Sequence, residues 1–218
     1  MTTRRENLPD TELIDIGRDA YAMILYVVMD GWTFAIEQGW VAPDMGEIPI
    51  TERLRDGMRT VVRDRMRWRM AIRSGTETRS KAGVLNPDGR TDMSVFFPSM
   101  FERYDEHDHH AIIECKRVAG DDSTLCREFV KEGVNRFVEG KYSMRHAAGY
   151  MVGYVLKGDM EAAWGAINRY LKRNGRSAEQ LKPCTVLPAP WTRSSRHPRP
   201  PPVPEIDLHH AFLAFRAA

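Results

Sequence analysis

Cysteine is scarce in this sequence: Cys115, Cys126 and Cys184 are few, widely spaced and odd in number. That excludes a disulfide framework and a CxxC zinc site, and it suits a reducing compartment. Long apolar runs are missing as well. The longest, residues 20–29, is far short of a membrane span and is closed by Asp30. Behind Arg4, Arg5 and Glu6 there is no apolar run with a small-residue cleavage site, so no secretion signal is expected. The expectation is a cytoplasmic chain with no membrane partner. Nor is there a strong charge imbalance: formal net charge is +2, so any case for nucleic acid has to come from where the charges lie. A phosphate-binding GxxxxGK loop and internal repeats are also absent, so energy-dependent control would have to come from a partner.

What the 218 residues do contain is a mixture of helix and strand signals, enough for one α/β domain with a real core. Leu13, Ile16, Ala20, Met23, Ile24, Val27 and Val28 recur at helical spacing. They predict a helix over 9–40, capped by Asp10 or Thr11 and interrupted at Gly31. A second helix is expected to start near Pro49, with Ile50, Leu54, Met58, Val61 and Val62 on its apolar face. Arg55, Arg59, Arg63 and Arg67 follow at four-residue spacing and form a basic ridge on that helix. Residues 66–73 then alternate as a strand does. Asn86-Pro87-Asp88-Gly89 signals a turn before a strand over 90–97. A polar tip, YDEHDHH, separates it from a strand over 111–118. Helix over 125–138, strand over 149–156 and helix over 160–171 come next. The proline-rich basic stretch 183–204 reads as an extended loop, and 206–215 as a last strand.

The stretch HHAIIECKRV raises a physical question, because an apolar strand runs directly into Glu114 and Lys116. Strand side chains alternate faces, so these two charges share one face and Cys115 takes the other. If the 90–97 strand pairs with it as a hairpin, Asp92 comes beside both. Close carboxylates repel each other and favour a divalent cation, and Mg²⁺ accepts two of them while keeping waters and room for phosphate oxygens. The competing reading is a cross-strand salt bridge on a solvated face.

Arg90-Thr91-Asp92 on one strand and Ile112-Ile113-Glu114-Cys115-Lys116-Arg117 on the next, between helices, resemble the PD-(D/E)xK nuclease superfamily over about residues 45–160. Thr91 stands where that pattern has proline, and Pro87-Asp88 falls in the turn instead. The resemblance implies a restriction-endonuclease-like core of mixed sheet flanked by helices. Residues 1–44 would be an N-terminal helical extension, 45–175 the catalytic core, and 176–218 a proline-rich loop and final strand. It also implies that Asp92, Glu114 and the Cys115 carbonyl hold Mg²⁺, with Mn²⁺ as a substitute, and that Lys116 orients or helps deprotonate the attacking water. The implied activity is phosphodiester hydrolysis, with DNA favoured over RNA, and restriction, phage defence and repair are all open as its setting. Superfamily members often place a further glutamate near the start of the preceding helix. Counting back from Ile50 and Leu54 puts Glu47 on the inward face and Glu52 outward, so Glu47 is favoured.

Alternatives stay open at this point. One is a catalytically silent nuclease-like domain that binds nucleic acid or a partner protein. Another is an interaction protein dimerised through its first helix. A homodimer and a controlling partner are both compatible with the sequence. The arginine ridge suits a phosphate backbone, and a solvated helix face explains it equally well. His107, His109 and His110 lack a second ligand cluster at zinc spacing. His197, His209 and His210 read as structural histidines, and Tyr142, Tyr150 and Tyr154 as core.

Overall fold

The computed structural model describes residues 14–66, 70–75, 77–78, 89–97, 110–142, 145–201 and 203–215. Two helices come first, α1 (Arg18–Glu37) and α2 (Glu47–Arg65). Strands β1 (Ala71–Ser74), β2 (Glu77–Thr78), β3 (Gly89–Arg90), β4 (Met93–Phe96) and β5 (His110–Ala119) follow. A continuous helical stretch is then built from α3 (Ser123–Glu128), a π-helical turn (Phe129–Val134) and α4 (Asn135–Val138). Strand β6 (Ala148–Lys157), helix α5 (Met160–Arg173), a 3₁₀ turn (Ser177–Glu179) and strands β7 (Lys182–Pro183), β8 (Thr192–His197) and β9 (Ile206–Ala214) complete the chain.

Seven strands form one mixed sheet in the order β1-β4-β5-β6-β9-β8-β7, and β2 pairs with β3 apart from it. At its centre β5, β6 and β9 run parallel, and they are buried on both faces, as parallel strands covered by helices must be. One face carries Ile113, Cys115, Val152 and Tyr154 against α1 and α2. The other carries Ile112, Val118, Met151 and Phe212 against α3, the π turn and α5. The architecture is therefore α/β with helices on both faces of the sheet.

Several sequence expectations are corrected. The first helix starts at Arg18, not near Pro9: Ile14 instead makes a parallel bridge to His146, and Ile14 N–H donates to the Arg145 carbonyl at 2.7 Å. The proposed caps Asp10 and Thr11 lie outside the described residues. Gly31 does not interrupt α1. It is where α1 crosses α2, and a Cβ on the facing Gly57 would sit 2.2 Å from the Gly31 carbonyl oxygen. Helix α2 begins at Glu47 and takes Pro49 in its first turn. The strand expected over 90–97 is divided, with Thr91 and Asp92 between β3 and β4. The stretch read as a proline-rich loop holds β7 and β8, so the C-terminal segment is built into the sheet. The apolar run in α1 belongs to a 20-residue helix whose best window, at hydropathy 1.2, is long and apolar enough to cross a membrane by length and composition. In the fold, its Ile24, Leu25, Val28 and Trp32 are buried, and Trp32 Nε1 donates to the Ala214 carbonyl at 2.8 Å. The expected turn at 86–88 and the tip at 104–109 fall outside the described residues.

Candidate active site

The site arises where the sheet splits. Strands β4 and β5 pair antiparallel from Phe96↔His110 to Met93↔Ile113, and the ladder stops there. The next residue on each side is Asp92 and Glu114. Beyond the split, the edge of β5 still presents backbone N–H groups that need acceptors. Asp92 Oδ2 accepts from Cys115 N–H at 2.7 Å, and Glu47 Oε2 accepts from Arg117 N–H at 3.1 Å. Two carboxylates are thereby fixed at the open edge by the strand itself.

Glu114 is fully buried, and Lys116 is 9% exposed. The Lys116 ammonium lies 2.8 Å from Glu114 Oε1 and 3.0 Å from Glu47 Oε1, and it donates to the Cys115 carbonyl at 2.9 Å. Two further groups reach Glu114 from the other side. Tyr142 donates its hydroxyl proton to Glu114 Oε2, and Arg136 Nη1 lies 3.4 Å from Oε1 and 2.9 Å from the Tyr142 hydroxyl. Arg136 sits just past the π turn, which shifts the phase of the last helical turn. In that turn Gly133 packs so tightly that a Cβ would fall 2.4 Å from Met151 Cε and 3.4 Å from Lys116 Cγ.

Charge and burial compete here. Burial first, then the neighbouring Asp92 carboxylate, push Glu114 up to about 7, against the pull of Lys116 and Tyr142. Asp92 is also raised, chiefly by burial, with Lys116 and the Cys115 N–H opposing. Burial disfavours the Lys116 ammonium, but Glu114, Asp92 and Glu47 together outweigh it and hold the lysine charged. Lys116 therefore stays a cation throughout the range in which Glu114 titrates.

Asp92, Glu114, Lys116 and Glu47 are thus brought together. The Cys115 side chain is buried on the opposite face, where burial pushes its thiol up, so only its backbone N–H and carbonyl meet the site. Glu52 points outward and pairs with Arg55. The arginines of α2 do not form a free ridge: Arg55 is held by Glu52, Arg63 by Asp64 at 2.6 Å, and Arg59 Nε donates to the Ile72 carbonyl at 2.9 Å. Arg67, His107 and His109 lie outside the described residues. His110 is buried in β5, and its carbonyl meets His146 Nε2 at 2.8 Å.

Sequence reasoning missed Arg136 and Tyr142. The helical stretch that carries Arg136 was legible, but no spacing rule links Arg136, or Tyr142 in the turn beyond it, to a strand more than twenty positions earlier. His197 and His210 belong to a separate buried chain. Ser195 Oγ lies 2.6 Å from His197 Nε2 and 2.7 Å from His210 Nε2, and His197 Nδ1 lies 2.6 Å from Glu179. Burial raises Glu179, but hydrogen bonds from Arg176 and His197 overcome this and set it at about 2.

The donor set suits a hard divalent cation: two acidic side chains and one backbone carbonyl, with waters and substrate oxygens free to complete the shell. Among the described residues, no three His, Cys, Asp or Glu side chains group closely enough to hold a metal by themselves. A closed structural zinc site is not what this cluster resembles. Comparison with family models, curated proteins and solved structures finds no match for the chain.

Proposed function

We propose that the protein is a metal-dependent nuclease of the PD-(D/E)xK type, hydrolysing phosphodiester bonds in DNA. The observation that carries this reading is the fully buried Glu114 placed beside Asp92 and Lys116 at the edge where β4 leaves β5. A glutamate pushed up to about 7, first by burial and then by a second carboxylate, is a costly feature for a merely structural salt bridge. It is useful where a cation has to be held next to a reacting phosphate. A catalytically silent domain that only binds nucleic acid or a partner protein has no use for it.

Asp92, Glu114 and the Cys115 carbonyl are the groups that would hold Mg²⁺ or Mn²⁺. Such an ion lowers the pKa of a bound water and balances charge on the phosphate. Lys116, kept charged by three carboxylates, orients the attacking water and stabilises negative charge on the phosphate oxygens. Glu47 holds the lysine in place, while Tyr142 and Arg136 fix the Glu114 carboxylate.

Incubation of purified protein with supercoiled DNA and Mg²⁺ or Mn²⁺ tests the proposal. Cleavage is expected, and Asp92→Ala, Glu114→Ala and Lys116→Ala should each abolish it. Double variants should lose no more than single ones, because the groups act as a unit. Equal activity in wild type and Glu114→Ala would identify a contaminating nuclease and refute the reading. RNA in place of DNA tests the substrate class in the same assay.

A further inference from the structure

The cations near the acidic centre are mostly engaged already. Arg136 serves Glu114 and Tyr142, Arg55 serves Glu52, and Arg59 holds the Ile72 carbonyl. Arg117 is different. It follows Lys116 on β5, and its backbone N–H is tied to Glu47. Alternation places its side chain on the face opposite Lys116, shared with Cys115. In the parallel register Arg117 lies beside Tyr154, whose hydroxyl donates to Thr51 on α2 at 3.0 Å. The residue is half-buried, and its Nε is buried without an acceptor. Among the described residues, no carboxylate or carbonyl accepts from its guanidinium.

A guanidinium whose Nε is buried without an acceptor is unfavourable in the free protein, and an anion brought to it would supply the missing acceptor. Its planar fork matches phosphate oxygens better than an ammonium does. Its position says which anion. Residues 114–117 line the stretch of β5 that β4 leaves uncovered. Arg117 follows Lys116 on the opposite face of this same stretch, so a phosphate backbone laid along it would pass both residues. The centre is otherwise rich in carboxylates, and a polyanion approaching Asp92, Glu114 and Glu47 needs a cation beside them.

We infer that Arg117 grips a non-bridging oxygen of the nucleic-acid backbone next to the scissile phosphate, on the α2 side of β5, and so positions the strand over Lys116. This rests on the nuclease reading. It assigns substrate binding to Arg117 rather than to the α2 arginines.

Cleavage kinetics and salt-dependent DNA binding in Ca²⁺, for wild type, Arg117→Met and Arg117→Lys, test it. Losing one charge-assisted phosphate contact should raise KM in Arg117→Met by about ten- to a hundredfold, with kcat nearly unchanged. The slope of log affinity against log salt should become shallower by about 1. Arg117→Lys should recover the slope but only part of KM, because the fork is lost. If Arg117→Met does not fold, Arg117→Lys carries the test through its raised KM. Cleavage by Arg117→Met with wild-type KM and slope, or by Arg117→Lys with wild-type KM, overturns this assignment and leaves the nuclease reading standing. Wild-type protein that neither binds nor cleaves DNA overturns both.

Discussion

Replacing Glu114 by glutamine should make the free protein more stable while abolishing its activity. Folding moves this carboxyl from the ordinary 4.5 to about 7, through burial and then Asp92. A raised carboxyl pKa means the folded chain keeps its proton longer than the unfolded one. The contribution of Glu114 to stability is therefore highest below pH 4.5 and declines as pH rises to 7. The shift corresponds to about 3 kcal/mol lost by pH 8. Glutamine keeps the shape without the charge. It can accept from Lys116 or Tyr142 but not both, at a cost of about 1 kcal/mol. Lys116 is not stranded, because Glu47 and the Cys115 carbonyl still hold it. The net gain at pH 8 is about 2 kcal/mol, equivalent to about 4–8 °C in Tm for a chain of this size. Thermal melts of both proteins from pH 4.5 to 8 measure it. The difference should be small or slightly negative at pH 4.5 and grow up to pH 7. A Glu114→Gln protein less stable than wild type at pH 8 would show that Glu114 is there for the ion pair, and the functional argument would fail.

Lys116→Met should abolish cleavage yet bind Mn²⁺ more tightly at pH 9, because the ammonium occupies the oxygens of Glu114 and Cys115 that a metal needs. Calorimetry showing weaker Mn²⁺ binding would contradict this. Glu47→Gln should cut metal-dependent cleavage with little change in Tm. Glu52→Gln should spare cleavage and cost a few tenths to about 1 kcal/mol; finding the inactive variant at Glu52 would reverse the assignment. Burial pushes His209 down to about 4 from 6.5, so it folds in neutral form. Its contribution is complete above pH 6.5 and is lost as pH falls towards 4. His209→Gln should flatten that acid limb in chemical denaturation, and an unchanged limb would show that another group causes it.

The parts of the fold that were legible in the sequence are those where apolar pattern and burial coincide. The run before Glu114 reads as a buried strand because it is one, and the phase of Ile50, Leu54 and Met58 was enough to turn Glu47 inward. Strand β8 was not legible. Thr192, Ser195 and His197 face inward there, and their burial is made tolerable by hydrogen bonds that no local pattern announces. Gly31 was misread because a glycine that permits close helix crossing looks in sequence like one that ends a helix. The α2 ridge failed for a different reason. Four-residue spacing was right, but Glu52 and Asp64, close along the helix, neutralise two of its arginines. The hold on Glu114 by Tyr142 and Arg136 comes from tertiary placement after a π turn, which spacing rules do not encode.

In the proposed nuclease, Asp92 and Glu114 are a metal pair and not one half of a structural ion-pair network. Anomalous diffraction from crystals soaked in Mn²⁺ at pH 8 tests this most directly. A peak is expected that is bonded to the Asp92 and Glu114 side chains and the Cys115 carbonyl and is absent from Glu114→Gln crystals treated in the same way. Mn²⁺ found only elsewhere, with Lys116 still seated between Glu114 and Glu47, would contradict it.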